Sequence, residues 1–242
     1  KLGGMTDTLP ERLHLARQQQ LGHAAFLELV LSDEVTRREG RSAALRAAKA
    51  GLDPTMRLDT FDDQPDLTYD RHLWSDLTTL RFAEAGTGVL ILGPVGVGKT
   101  HLATALGHIA IRRRLTVGFH RADKLFPRLR AARLDNTLDA ELRRLTSIDL
   151  LIVDDFALRA LDATQTNDFY EIVVERHRRN PTIWVSNREP AEWLGLTTDA
   201  LLAQSAIDRL TSGAHTLVVE GPSYRQRGRV TVDPRNEVRH AR

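Results

Sequence analysis

Apolar positions in this chain fall into short unbroken runs separated by stretches of helical period. Val89–Leu92 is the first such run, and TVGFH at 116–120, DLLIV at 149–153, TIWV at 182–185 and TLVV at 216–219 follow it. Runs this short and this apolar are the pattern of strands buried on both faces of a parallel sheet. Between them the period lengthens. Helices are expected from Lys99 to about Arg113, over 124–133 with Asp123 as N-cap, and over 138–145. Two more are expected over 164–178, with Phe169, Ile172 and Val173 on one face before Asn180 and Pro181 stop it, and over 201–210. Five strands with intervening helices predict an α/β fold, a doubly wound five-stranded parallel sheet with right-handed connections.

Upstream of the sheet the pattern is helical throughout. A short helix is expected over 10–21, and from His23 the residues Phe26, Leu27, Val30 and Leu31 fall on one helical face. A polar, arginine-rich run follows to Arg46. Gly40 within it predicts a weak point or a break, because glycine inside a helix costs roughly 1 kcal/mol against alanine. Helical character resumes at 43–48 and stops at Gly51 and Pro54. Residues 56–76 read as a connector, leading into one helix over 70–85. The domains expected are an N-terminal helical segment at 5–55, the α/β domain at 56–228 and a basic tail at 229–242. The KLGG before Met5 reads as foreign to the fold.

Composition narrows the chemistry. The chain has no cysteine, so disulfides, thiolate catalysis and cysteine-ligated zinc are excluded. No apolar run has the length of a transmembrane helix and no signal peptide is visible, which predicts a cytoplasmic protein without membrane association. Net charge is only +2, so the distribution of charge matters more than its total. Between residues 111 and 144 there are ten basic residues against four acidic ones, an excess of six, and the rest of the chain is therefore net acidic.

The strongest chemical signal is GPVGVGKT, directly after the first strand. Gly93, Gly98, Lys99 and Thr100 satisfy the P-loop spacing in its required strand-to-helix context. Backbone N–H groups must wrap a triphosphate closely, so side chains have to be absent at the tightest points. The candidate ATP-binding residues are Gly93, Pro94, Val95, Gly96, Val97, Gly98, Lys99, Thr100 and His101. Lys99 supplies charge to the outer phosphates, and Thr100 is placed for Mg²⁺. Asp154 and Asp155 close the strand LLIV, where a Walker B pair belongs. Asp154 would hold Mg²⁺ and Asp155 would polarise the attacking water. Asn187, after the strand TIWV, could bond the γ-phosphate or that water.

Taken in order, GPVGVGKTHLATALGHIA, LLIVDDF, WVSNREPAEW, AIDRL and GPSYR resemble the IstB-type ATPases of insertion elements. That family is close to the DnaC helicase loaders within the AAA+ class. The resemblance implies a homo-oligomer that binds double-stranded DNA under ATP control and assists the transposase of the same element in capturing target DNA. It implies Asn187 as sensor 1 and Arg209 of AIDRL as an arginine finger reaching a neighbour's ATP. Many AAA+ proteins carry a helical lid after the last strand. About 20 residues follow Val219, broken by glycine and proline, so no lid is expected, and Arg225 is the one late arginine to consider near the site.

In initiator-type AAA+ proteins the helices after the second strand line the DNA path, which makes Lys124, Arg128, Arg130 and Arg133 the candidate DNA contacts. Their alternative is surface pairing with Asp135, Asp139 and Glu141, each pair contributing about 0–1 kcal/mol. Two other functions compete with transposition. A helicase loader would bind its helicase through the N-terminal helices. A small-molecule P-loop kinase would need a phosphoacceptor site and a lid, and the sequence shows neither.

Overall fold

The computed structural model describes residues 4–63 and 65–224; Arg225 and the expected tail at 229–242 lie outside the described residues. The five strands are β1 (Val89–Leu92), β2 (Val117–Arg121), β3 (Leu150–Phe156), β4 (Thr182–Ser186) and β5 (His215–Val218). They form one parallel sheet in the order β2-β3-β4-β1-β5, which puts the P-loop strand between β4 and β5. The expected α/β class and parallel sheet are thus present.

Side chains alternate across the sheet as the pleat requires. Val89, Ile91, Leu150, Ile152, Ile183 and Val185 point to one face and Leu90, Leu92, Leu151, Val153 and Trp184 to the other. The first face is covered by α5 (Lys99–Arg112), the end of α2 (His23–Ala50), and α3 (Arg71–Thr78) with α4 (Arg81–Glu84). The second is covered by α6 (Ala122–Leu134), α7 (Leu138–Ser147), α8 (Ala163–Arg176), α9 (Pro190–Trp193) and α10 (Ala200–Thr211). There Phe156 meets Phe169, Trp184 and Trp193 at ring separations of 4.7–4.8 Å.

Three local expectations change. α2 runs unbroken through Gly40, with α1 (Met5–Gln18) folded back on it through Arg12 and Asp33. Its far end buries Ala47 and Ala50, so anchoring at both ends outweighs the cost of one glycine. Those alanines and Leu52 pack into the same core as α5. The helix expected over 70–85 is two helices, because Leu80 adopts a left-handed conformation at φ 58°. Asp123 is not the cap of α6. Arg121 occupies that position and Asp123 lies in the first turn, bonded to it at 3.1 Å. Pro127 is therefore the sixth helical residue, in the second turn, where its missing N–H leaves the Asp123 carbonyl without a helical donor.

Candidate active site

The P-loop carries its glycines where the backbone demands them. Gly93 has φ 144°, and a Cβ there would lie 2.0 Å from the Val219 carbonyl oxygen of β5's extension. Gly96 has φ 89°, and a Cβ there would lie 2.0 Å from Ser223 Oγ. Two chain segments press on this loop from outside. Tyr224 N–H donates to the Gly96 carbonyl at 3.0 Å, and Phe61 packs on Gly98 and edge-on against His101 at 5.2 Å. His101 is further tied to the Arg57 carbonyl at 2.7 Å. The connector at 57–63 thus reaches the start of α5. Sequence pattern alone did not show Phe61, Ser223 and Tyr224 against the P-loop.

Lys99 is almost wholly buried, and its Nζ donates to the Pro94 carbonyl at 2.6 Å, so the ammonium lies across the loop. Thr100 Oγ1 donates to Asp154 at 3.1 and 3.2 Å. The structure therefore brings the two expected Mg²⁺ residues together across 54 residues of sequence. Burial, and then the neighbouring Asp155, push the Asp154 carboxyl above its ordinary range, while Thr100 opposes them. Hydroxyl and carboxylate oxygens are hard donors suited to Mg²⁺, and a glycine-lined backbone loop with a buried lysine suits a triphosphate. The residues present fit both groups.

β3 does not end as a regular strand. Val153 pairs with Trp184 but Phe156 pairs with Ser186, so three steps on β3 match two on β4. The extra residue is a β-bulge at the aspartates, and Asp155 takes φ 54°. Asp154 keeps the α5 side of the sheet. Asp155 goes to the α6 side, where it lines a cavity of about 220 Å³ with Asp123, Phe126 and Arg159. Its partner there is Arg121, with Nη2 3.3 Å from Oδ2. Sequence reasoning did not single out Arg121. The parallel register places it opposite Asp154, which only the pairing of β2 with β3 reveals. Asn187 follows Ser186, which is itself paired with Leu92 just before Gly93. It therefore emerges between the P-loop and the bulge, partly exposed.

The remaining candidates lie elsewhere. On α6, Arg128 bonds Glu141 of α7 at 2.6 Å and Arg130 bonds Asp162, the N-cap of α8. Arg133 bonds the fully buried Asp168 of α8 at 2.5 Å. These arginines tie α6 to its neighbours, and of the expected pairs with Asp135, Asp139 and Glu141 only that with Glu141 forms. Lys124 is exposed and has no ion pair among the described residues. Arg209 is near the end of α10, which leads into β5 at His215, the residue paired with Val89. The P-loop leaves the other end of β1, roughly 13 Å away for four residues of strand. Arg209 therefore faces away from its own phosphate site. Its Nη1 donates to the Ser205 carbonyl at 2.8 Å, and its guanidinium lies 6.0 Å from the centre of the Tyr170 ring.

Residues 1–232 match the family described as IstB-like ATP binding protein. The chain is 37% identical over 230 residues to an insertion-sequence ATP-binding protein of Mycobacterium tuberculosis, covering 95% of this chain and 92% of that one. It is 32% identical over 213 residues to the IS21 insertion-sequence ATP-binding protein of Pseudomonas aeruginosa, covering 88% and 80%. Among solved structures, the DnaC helicase loader superposes with a TM-score of 0.59 at 20% identity, covering 69% of this chain and 98% of that one. AMPPCP-bound DnaA from Aquifex aeolicus superposes with a TM-score of 0.56 at 24% identity, covering 68% and 50%. These two likenesses are of fold, and that fold agrees with the α/β P-loop domain expected from the sequence.

Proposed function

The chain belongs to the IstB-like ATP binding protein family, and from that membership we propose an ATPase that serves transposition. As an oligomer of its own chain it engages double-stranded DNA under ATP control and assists the transposase of the same insertion element in capturing target DNA. The observation that carries the ATPase reading is the meeting of Thr100 with the buried Asp154, beside a lysine-bearing glycine loop. The insertion-sequence names of the relatives favour transposition over helicase loading, since the likeness to the DnaC helicase loader is one of fold.

Bound Mg²⁺ would supply positive charge to the β- and γ-phosphates. Thr100 and Asp154 are the residues to hold it. Lys99 binds the outer phosphates, and the N-terminus of α5 adds its dipole. Asp155 accepts the proton of the attacking water, and Asn187 orients that water or the γ-phosphate. Arg209 acts on a neighbour's nucleotide. Lys124 touches the DNA backbone, while Arg128, Arg130 and Arg133 hold the same helix to α7 and α8. No helix among the described residues is long and apolar enough to cross a membrane.

Nucleotide binding and hydrolysis by Lys99→Ala and Asp155→Asn test the reading. Lys99→Ala is expected to lose ATP binding, while Asp155→Asn binds ATP and turns it over poorly. Hydrolysis by Asp155→Asn at the wild-type rate would show that another group activates water.

A further inference from the structure

A cavity of about 330 Å³ opens at the end of the sheet opposite the P-loop. Its walls come from the loop before β1, the start of β4, and the C-terminal ends of α8 and α10. Arg176, His177, Arg178 and Arg209 line it, and no aspartate or glutamate does. Arg176 is buried and spends its guanidinium on neutral acceptors: the Thr182 hydroxyl and the carbonyls of Leu145, Thr146, Ile148 and Pro181. None of these acceptors is a carboxylate, and Asp149 is the acid whose charge reaches it. Arg178 is exposed, has no ion pair among the described residues, and is held at φ 56°. Gly86 keeps the mouth open on that side, because a Cβ there would lie 3.1–3.2 Å from the Arg178 backbone.

Two helices end here, and their dipoles offset part of this charge. Each helix end contributes roughly half a negative charge, about −1 together, against three guanidinium groups. Even with Asp149 acting on Arg176, the balance at this end stays positive. At the opposite end of the sheet Asp123, Asp154 and Asp155 are matched by Arg121, Arg159 and Lys99, so the negative charge there would be that of a bound triphosphate. Head-to-tail packing of identical chains brings unlike surfaces together, and it generates rings or filaments. With a triphosphate bound, the two ends of this sheet would be complementary in that sense.

We propose that this cavity receives the phosphates of a nucleotide held by the P-loop of a second copy of the chain, and that Arg178 is a second trans-acting cation beside Arg209. The inference rests on the reading of the chain as a P-loop ATPase with Arg209 acting in trans. Arg209 has one side of its guanidinium committed to Ser205, and its Nε and Nη2 have no hydrogen bond among the described residues. Arg178 stands on the adjoining wall. Two guanidinium groups from different helix ends can then contact different oxygens of one phosphate group. His177 lines the same cavity. Its pKa is lowered by burial first and then by Arg178 and Arg209, consistent with cations converging on one space.

Complementation between inactive subunits tests this, in the full chain with duplex DNA present to promote assembly. Arg178→Ala is expected to bind a fluorescent ATP analogue as wild type does and to lose hydrolysis by about 10²-fold, as when one oriented donor is removed from a developing oxyanion. Arg178→Lys, which keeps the charge, should lose less. Mixed one to one with Lys99→Ala, Arg178→Ala should recover activity. About one head-to-tail interface in four then joins an intact P-loop to an intact Arg178. The same mixture with Arg209→Ala reads the underlying assumption. Recovery in the Arg209 mixture alone overturns the role of Arg178 and leaves that of Arg209. Recovery in neither overturns both. Recovery in the Arg178 mixture alone upholds the cavity and removes Arg209 from it. Wild-type turnover by Arg178→Ala also overturns the proposal.

Discussion

Arg133→Ala separates a structural arginine from a DNA contact. Asp168 is wholly inaccessible, its Oδ1 is held by Arg133 at 2.5 Å, and its Oδ2 has no hydrogen-bond partner. Removing one partner of a fully buried ion pair costs about 3–5 kcal/mol, because the other charge is stranded. Arg133 itself is 42% exposed, so solvent already screens the pair, and about 2–3 kcal/mol is the better expectation. In a chain of this size that lowers Tm by about 5–10 °C. Burial raises the Asp168 pKa while Arg133 lowers it. A carboxyl whose folded pKa is raised holds a proton the unfolded chain has released, so its contribution to stability falls as pH rises. Without Arg133 the pKa rises further. The deficit of the variant should therefore be widest at neutral pH and narrow toward about pH 4, where the unfolded carboxyl is itself half protonated. Differential scanning fluorimetry across pH measures this, and Arg133→Ala with Asp168→Asn should recover most of the loss. An unchanged Tm with weakened DNA binding would refute the reasoning and return Arg133 to the phosphate backbone.

Arg121→Ala should raise basal ATP turnover by at most about fivefold, since a half-exposed pair with Asp155 contributes roughly 0–1 kcal/mol; an unchanged or lower steady-state rate would show that the pair does not restrain Asp155. Lys124→Ala should weaken DNA binding and flatten the dependence of log K on log salt by about 0.9, whereas Arg128→Ala should leave that slope alone and lower Tm through Glu141. Equal slopes in fluorescence-anisotropy titrations of the two variants would count against this division. Gly40→Ala should raise Tm by about 2–4 °C, because the position lies inside α2 with nothing within 4 Å of a Cβ and alanine gains about 1 kcal/mol there; no rise would mean that the helix is interrupted at Gly40.

What could be read from the sequence was what is contiguous. The strand VLIL, the glycine loop and the first turn of α5 are one uninterrupted stretch, and each residue's demand on the backbone is local. The five strands were legible for the same reason, within one to three residues at their ends. The arginines of α6 were not, because Asp162 and Asp168 lie some thirty residues further along and only the packing of α6 on α8 brings them near. Arg121 required the register of β2 on β3. The break at Leu80 had no glycine or proline to announce it, and a leucine at φ 58° follows from tertiary packing.

The bulge at the end of β3 explains how two adjacent aspartates come to have different surroundings. Consecutive residues of a strand point to opposite faces, so Asp154 follows Ile152 toward α5 and Asp155 follows Val153 toward α6. Left regular, that alternation would bury both acids beneath helices. The extra residue ends the ladder there instead, and the left-handed turn at Asp155, a conformation aspartate tolerates better than most residues, carries its carboxylate to the rim. Asp154 stays sealed against Thr100, while Asp155 is about one-third exposed beside Arg121. A buried carboxylate bonded to a hydroxyl suits a fixed cation, and one at a solvent-lined rim suits a proton acceptor. Environment rather than residue type would divide the two roles proposed for them. The strain of such a backbone, of order 1–3 kcal/mol, is sustained by the aromatic cluster of Phe156, Phe169, Trp184 and Trp193 directly behind it.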